Sequence, residues 1–284
     1  MPEPAKNGLM EDALPEEILQ RFAGIARLYG LGAMKKLAAA KVCIVGLGGV
    51  GSWACEALAR SGIGSFVLAD MDEICATNTN RQLHAMTGNF GRDKVEVMAE
   101  RIRAINPLAK VATEKIFVAP DSATKLFASG GAFAGCDLLA DAIDGATNKA
   151  ALIAACVAAK MPIVSSGGCA GKRDGLRVEI GDMAEAENDA LLTCVRRILR
   201  SRYGFPKGGK KFGVPTVFSR EIPASPLLLQ GAAEISHHNA GGREAVPEML
   251  SPAGGKPRAG TATFVTGAFG FALAQECVRM ILAR

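Results

Sequence analysis

Short apolar runs that end at glycine or acid recur along this chain, separated by stretches in which apolar residues return every three or four positions. Val42, Ile44 and Val45 form the first run, a β-branched cluster that predicts a buried strand. It leads into Gly46-Leu47-Gly48-Gly49-Val50-Gly51-Ser52, after which the alanine-rich stretch from Trp53 to Arg60 predicts a helix. The same rhythm predicts strands at 65–70, 111–118, 136–142 and 162–166, and helices at 94–105 and 148–160. In the first of these helices Val95, Met98, Ile102 and Ile105 share a face, and Asn106-Pro107 ends it. An earlier helical stretch, 18–37, breaks near Tyr29-Gly30, and a short helix is predicted from Ser122. Strands alternating with helices predict an α/β fold: a Rossmann-like, mostly parallel sheet with helices on both faces and right-handed crossovers.

After Gly171 the rhythm changes. Strands are predicted at 176–182 and 214–219, flanking a basic helix at 191–203. Residues 221–260, rich in proline, glycine and polar side chains, read as a long loop of the kind that is functional or mobile. Residues 261–282 form a last apolar stretch. Gln275, Glu276 and Arg279 interrupt it and Gly267 and Gly270 weaken it, so a packed core helix is expected, with membrane association the lesser alternative. Residues 1–16 carry proline and charge without periodicity and are expected to be a loose tail. Residues 17–284 are expected to form a single domain, with a nucleotide-binding part at about 41–171 and a C-terminal extension at about 172–284.

Composition narrows this picture only a little. With 284 residues, 49% hydrophobic and 21% charged, the chain has globular composition, and 5% aromatic content requires an aliphatic core. A net charge of +5 is compatible with a polyanionic partner without establishing one. The eight cysteines contain no C-x-x-C pair, which excludes a zinc knuckle or dithiol redox motif of that spacing. Cys43, Cys136 and Cys156 lie in apolar runs and read as buried thiols. Without a signal peptide at its start, the chain is expected in the reducing cytoplasm.

The candidate chemistry gathers at the predicted carboxyl ends of the strands, where open α/β sheets bind ligands. Gly46, Gly48 and Gly51 satisfy G-x-G-x-x-G, and a strand–glycine turn–helix unit is an anion site: glycines allow close backbone approach, and the first helical N–H groups and the helix dipole favour phosphate. NAD, FAD and ATP all remain open at this point. Asp70 ends the second strand, where a carboxylate binds a ribose hydroxyl of either NAD or ATP. Asn78, Arg81 and Lys94 then add an amide and two cations. A triphosphate attacked at its α-phosphorus needs such cations, and Asp144, after the fourth strand, is placed to hold its magnesium. Taken singly, Arg81 and Lys94 read equally as solvated charges and Asp144 as a helix cap. A nicotinamide oxidoreductase would leave all three idle.

The segments GLGGVGS, LADMD, TNTNRQ, GRDKVE, INP, DAIDGATNKAAL and PIVSSGG closely resemble the ubiquitin-activating-enzyme-like, ThiF-type adenylyltransferase superfamily over about Arg21 to Gly171. That resemblance implies that Gly46, Gly48, Gly49, Val50, Gly51, Ser52, Asp70, Asp72, Asn78, Arg81, Lys94 and Asp144 bind ATP, with Asp144 on the magnesium ion. Arg81, Lys94 and Asp144 would serve attack of a carboxylate on the α-phosphate. Within the superfamily, FAGIARLYG, TNTNRQ, VMAERIRAINP, AIDGATNKAALIAAC, KFGVPTVFS and ATFVTGAFGFALA resemble the tRNA threonylcarbamoyladenosine dehydratases nearly end to end. This implies ATP-dependent cyclising dehydration of a modified adenosine beside the anticodon, through adenylation of its threonine carboxylate and ring closure that expels AMP.

The alternative is adenylation of the C-terminus of a ubiquitin-like sulfur-carrier protein. The two cysteine pairs that usually hold zinc in those enzymes are absent. Inactive partner halves of heterodimeric activating enzymes tend to lose the arginine, lysine and aspartate present here. Relatives place a catalytic arginine three residues after an arginine-aromatic pair. The pair here is Arg21-Phe22 and the matching position is Gly24, so Arg27, one turn on, is the expected substitute, with Arg21 the runner-up. The resemblance also implies a homodimer, sulfur-relay partner proteins and a structural alkali cation. Cys169, the cysteine next to the proposed site, reads as structural. Arg196, Arg197, Arg200, Arg202, Lys207, Lys210 and Lys211 fall in one segment with no acid among them and are expected to contact tRNA phosphates.

Overall fold

The computed structural model describes residues 14–224 and 259–284. Most of the expected tail and of the 221–260 loop lie outside these residues, and Glu16 already opens the first helix. In chain order the elements are α1 (Glu16–Tyr29), α2 (Leu31–Ala39), β1 (Lys41–Val45), α3 (Gly51–Arg60), β2 (Ser65–Ala69), α4 (Lys94–Ile105) and β3 (Lys110–Glu114). They continue with β4 (Leu138–Asp141), α5 (Ala146–Ala158), β5 (Ile163–Ser166), β6 (Val178–Asp182), α6 (Ala190–Arg202), β7 (Pro215–Ser219) and α7 (Thr263–Leu282).

Seven strands form one sheet in the order β3-β2-β1-β4-β5-β7-β6. Every neighbouring pair is parallel except β7 with β6. The order reverses direction between β1 and β4, which makes the gap between their carboxyl ends the switch point where doubly wound sheets bind ligands. Strand alternation sorts the core into two layers. Val42, Ile44, Phe66, Leu68, Leu138 and Ala140 face α3, α4 and α7, whereas Cys43, Val45, Val67, Ala69 and Leu139 face α5 and α6. Both faces are therefore covered, as the near-continuous apolar strands require.

Three expected boundaries shift for local reasons. The third strand stops at Glu114 because its partner β2 ends opposite it, at Ala69. Residues 175–177 form a 3-10 turn, so the next strand starts at Val178. Helix α5 starts at Ala146, two residues early, with Gly145 as its cap.

The last helix belongs to the core. Its Val265, Phe269, Leu273, Cys277 and Ile281 are buried against the sheet and α3. Gly270 makes the contact close: a Cβ there would stand 2.7 Å from both Trp53 Cβ and the Val50 carbonyl oxygen. Glu276, which interrupts the apolar run, is neutralised one turn away by Arg279 at 2.6 Å.

Candidate active site

The turn after β1 is built so that two of its glycines have no substitute. Gly46 has φ +87°, and a Cβ there would meet the Ala142 carbonyl oxygen at 2.8 Å. A Cβ on Gly51 would fall 1.8 Å from the Gly46 carbonyl oxygen. The turn thus folds tightly on itself and onto the segment that follows β4. Three bonds clamp it. The Gly46 N–H donates to the Ala69 carbonyl (2.9 Å), the Leu47 N–H to the Asp70 carboxylate (2.6 Å), and His84 Nε2 meets the Leu47 carbonyl at 2.8 Å. Over Gly48 there is open space, since an added Cβ would find nothing nearer than Gln82 Nε2 at 3.9 Å. The amides of Gly48 and Gly49 donate to no group among the described residues. Free N–H groups at the head of α3, with open space above, fit phosphate oxygens.

The other expected residues surround this turn. Asp70 fixes its floor through Leu47 and also accepts from the Asp72 N–H at 2.9 Å. Lys94 opens α4, is only 5% exposed, and donates to Asp72 at 2.7 Å. Arg81 lays its stem over Gly49, with Cγ 3.3 Å from where a Cβ would be. Its guanidinium holds the Thr77 carbonyl and Asn80 Oδ1, both at 3.1 Å. Asn78 uses its side-chain oxygen locally, accepting from the Cys75 N–H at 3.1 Å. Ser52 is fully buried and accepts from the Leu83 N–H at 3.3 Å.

Asp144 is exposed, and the cap of α5 is Gly145 without a side-chain bond, so the structure gives the carboxylate no capping role. Among the described residues no cluster of three or more acidic, histidine or cysteine groups could cage a metal. A single exposed carboxylate beside a phosphate site suits Mg²⁺, which is held mostly by substrate oxygens and water. Arg27 is exposed on α1, a helix that packs on α2 and, through Phe22, against the Gly62 turn before β2. Among the described residues no hydrogen bond or ion pair ties Arg27 to the glycine turn, and Arg21 is paired with Glu17 at 3.0 Å.

Sequence reasoning missed several supports. Trp53 Nε1 donates to the Arg81 carbonyl (3.1 Å), and Thr266 at the start of α7 reaches the same oxygen at 3.4 Å. The last helix therefore braces the Arg81 segment. Burial lowers the pKa of His84 and keeps it neutral at the base of the turn. Burial pushes the Cys169 thiol up to about 12, so a thiolate is scarce there at neutral pH.

A family model, the ThiF family, matches residues 20–284. The chain belongs to the ThiF family. Among the relatives of this ThiF-family chain is the tRNA threonylcarbamoyladenosine dehydratase of Escherichia coli strain K12, 43% identical over 93% of this chain and 94% of that protein. The dehydratase of Haemophilus influenzae is 38% identical over the same shares. The crystal structure of the E. coli enzyme in complex with ATP superposes with a TM-score of 0.80 at 39% identity, covering 95% of this chain and 97% of that one.

The basic segment divides in two. Arg196 is half-buried and donates to the carbonyls of Ala186 (2.7 Å) and Met183 (3.2 Å). Arg200 donates to the Pro206 carbonyl and stacks over the Phe212 ring, and Lys211 pairs with Glu185. Arg196 thus holds the β6–α6 connection, Arg200 the α6–β7 connection, and Lys211 ties the two together. Arg197, Arg202, Lys207 and Lys210 are exposed, with no side-chain bond among the described residues. Arg196, Arg197, Arg200 and Lys207 line a shallow hollow of about 430 Å³ on α6.

Proposed function

We propose that this chain is an ATP-dependent tRNA threonylcarbamoyladenosine dehydratase. Its similarity to the E. coli enzyme over nearly the whole of both chains carries this reading. The threonine carboxylate attacks the α-phosphorus of ATP bound at the Gly46–Ser52 turn, and the bond to pyrophosphate breaks. A nitrogen of the same modified side group then attacks the acyl carbon and expels AMP, for a net loss of one water. Mg²⁺ neutralises charge on the leaving phosphates when bound, and Asp144 is the carboxylate that would hold it. The free amides of Gly48 and Gly49 bind phosphate oxygens. Arg81, anchored by Thr77, Asn80 and Gly49, and Lys94, poised by Asp72, face the charge that builds on the α-phosphate. Asp70 receives the ribose, while Asn78 holds its own 75–78 turn and Ser52, at the head of α3, fastens the Leu83 segment. Cys169 takes no covalent part, consistent with its raised pKa.

The exposed cations of the α6 segment, Arg197, Lys207 and Lys210, hold tRNA phosphates, with Arg196, Arg200 and Lys211 supporting the surface that presents them. The chain works as a cytoplasmic homodimer. Leu28, Tyr29 and Leu31 at the α1–α2 elbow are 48–70% exposed beside Arg27, an apolar surface that a second copy would cover while bringing Arg27 to the neighbouring site. A structural alkali cation and sulfur-relay partners belong to this reading through the family resemblance alone. Mass spectrometry of nucleosides from threonylcarbamoyl-modified tRNA, incubated with the protein and ATP, tests the function. Loss of one water mass is expected. Unchanged tRNA alongside adenylation of a sulfur-carrier C-terminus would overturn it.

A further inference from the structure

The loop between β4 and α5 is held by a buried ion pair that the reaction itself does not use. Asp141 and Lys149 are both 0% exposed, and Lys149 Nζ lies 2.8 Å from Asp141 Oδ2. Ser165 on β5 donates to the same oxygen at 2.7 Å. Apart from a long bond from Lys149 Nζ to the Asp141 main-chain carbonyl (3.5 Å), the other bonds of the pair go to Ile143. The Ile143 N–H donates to Asp141 Oδ1 at 3.1 Å, and Lys149 Nζ donates to the Ile143 carbonyl at 3.0 Å. Both backbone groups of the residue before Asp144 are thereby gripped by charged partners. On its other side the same stretch forms the wall of the glycine turn, since a Cβ on Gly46 would meet the Ala142 oxygen at 2.8 Å and the Ile143 nitrogen at 3.1 Å.

Two charges removed from water and paired are a poor means of stabilising a core. A well-packed apolar pair of similar volume often does as well or better. What an apolar pair lacks is bonds to Ile143. We infer that Lys149, together with Asp141, is a positioning residue for adenylation: it fixes the Ile143 peptide, and through it sets both the Asp144 carboxylate and the wall of the glycine turn. The inference rests on the adenylation reading for its catalytic consequence, whereas the gripping of the loop is a property of the fold alone.

The test compares the full-length protein with the apolar double variant Asp141→Leu/Lys149→Met, and with the milder Ser165→Ala, which removes one bond to Asp141 and leaves the charges paired. Hydrogen exchange followed by mass spectrometry reads the loop, and ATP–pyrophosphate exchange reads its effect. The double variant is expected to melt within a few degrees of wild type. Its peptide spanning residues 142–145 exchanges faster while peptides of β1 and β2 keep their protection. Its kcat falls on the order of 100-fold, the scale of a small misplacement of reacting groups, and half-maximal rate requires more Mg²⁺. Ser165→Ala shows the same pattern in weaker form. A folded double variant with wild-type loop exchange and wild-type kcat overturns the inference, as does uniform loosening of the whole sheet. If the double variant does not fold, an unaltered loop and rate in Ser165→Ala overturn it. A wild-type protein without ATP–pyrophosphate exchange, but with a loop that loosens as expected, would instead count against the adenylation reading.

Discussion

Replacing Gly51 by alanine adds a single methyl group, and the structure specifies what that group meets. The new Cβ would stand 1.8 Å from the Gly46 carbonyl oxygen. One of the two must retreat by more than an ångström, and Gly46 has nowhere to go. It is backed by the Ala142 carbonyl, and its turn is tied down by Ala69, Asp70 and His84. Overpacking of this kind costs about 1–3 kcal/mol. Weakening the bond from Leu47 N–H to the Asp70 carboxylate costs up to about 1.5–3 kcal/mol more. Alanine in place of glycine in a helix returns about 1 kcal/mol. The net loss is about 1.5–5 kcal/mol, which lowers the melting temperature on the order of 10 °C for a domain of this size.

Thermal unfolding with and without MgATP is the assay. At a ligand concentration about 100 times Kd, the wild type gains about 2.7 kcal/mol from bound nucleotide, and the Gly51→Ala protein loses most of that gain because the amides at the head of α3 have moved. Gly48→Ala is the control. Its Cβ enters open space, so its melting temperature without ligand stays within about 0.5 kcal/mol of wild type. A Gly51→Ala protein that melts with the wild type and responds equally to MgATP would refute the reasoning.

Arg81→Ala and Lys94→Met are each expected to raise the barrier to ATP–pyrophosphate exchange by about 2.7–4 kcal/mol; a change confined to KM for ATP would make them binding groups only. Acid should destabilise the fold through His84. Burial lowers its pKa in the folded protein, so its contribution is complete above the unfolded value of about 6.5 and is lost as pH falls from there through the folded value. Chemical denaturation at pH 7.5 and 5.5 should show a smaller difference for His84→Gln than for wild type. Neutral replacement of Arg197, Lys207 and Lys210 should weaken tRNA binding and flatten its log–log salt dependence by about 0.7–0.9 per lost phosphate contact, with ATP affinity unchanged. An unaltered salt slope would move the RNA contact elsewhere. Gly270→Ala should separate α7 from α3 and cost about 1–3 kcal/mol in urea unfolding; a midpoint equal to wild type would show that the two helices can shift apart freely.

Much of this was written in the order of residues. The β-branched run at 42–45, the glycine turn and the alanine-rich helix are local in sequence, and local sterics and apolar periodicity determine them without help from the rest of the chain. The α/β alternation likewise forces a parallel sheet covered on both faces. The positions of Asp70 and Asp144 at strand ends follow directly from that architecture, and the Gly46 and Gly51 requirements are those of any tight turn before a helix. The family resemblance, carried by the same segments, accounts for the chemistry expected of them.

Tertiary structure decided the rest, because it concerns which distant groups meet. Nothing local says that β7 enters the sheet between β5 and β6, or that residues near 266 brace Arg81. Arg196 and Arg200 read as two more cations in a basic run, yet both guanidinium groups are occupied, Arg196 by carbonyls of the β6–α6 connection and Arg200 by a carbonyl and an aromatic ring of the α6–β7 connection. Lys149 stands on a helix face like any solvated lysine until β4 and β5 close around it and leave Asp141 as its partner. A side chain's charge is set by its own residue. Its burial, and therefore what that charge does, is set by strands brought alongside from elsewhere in the chain.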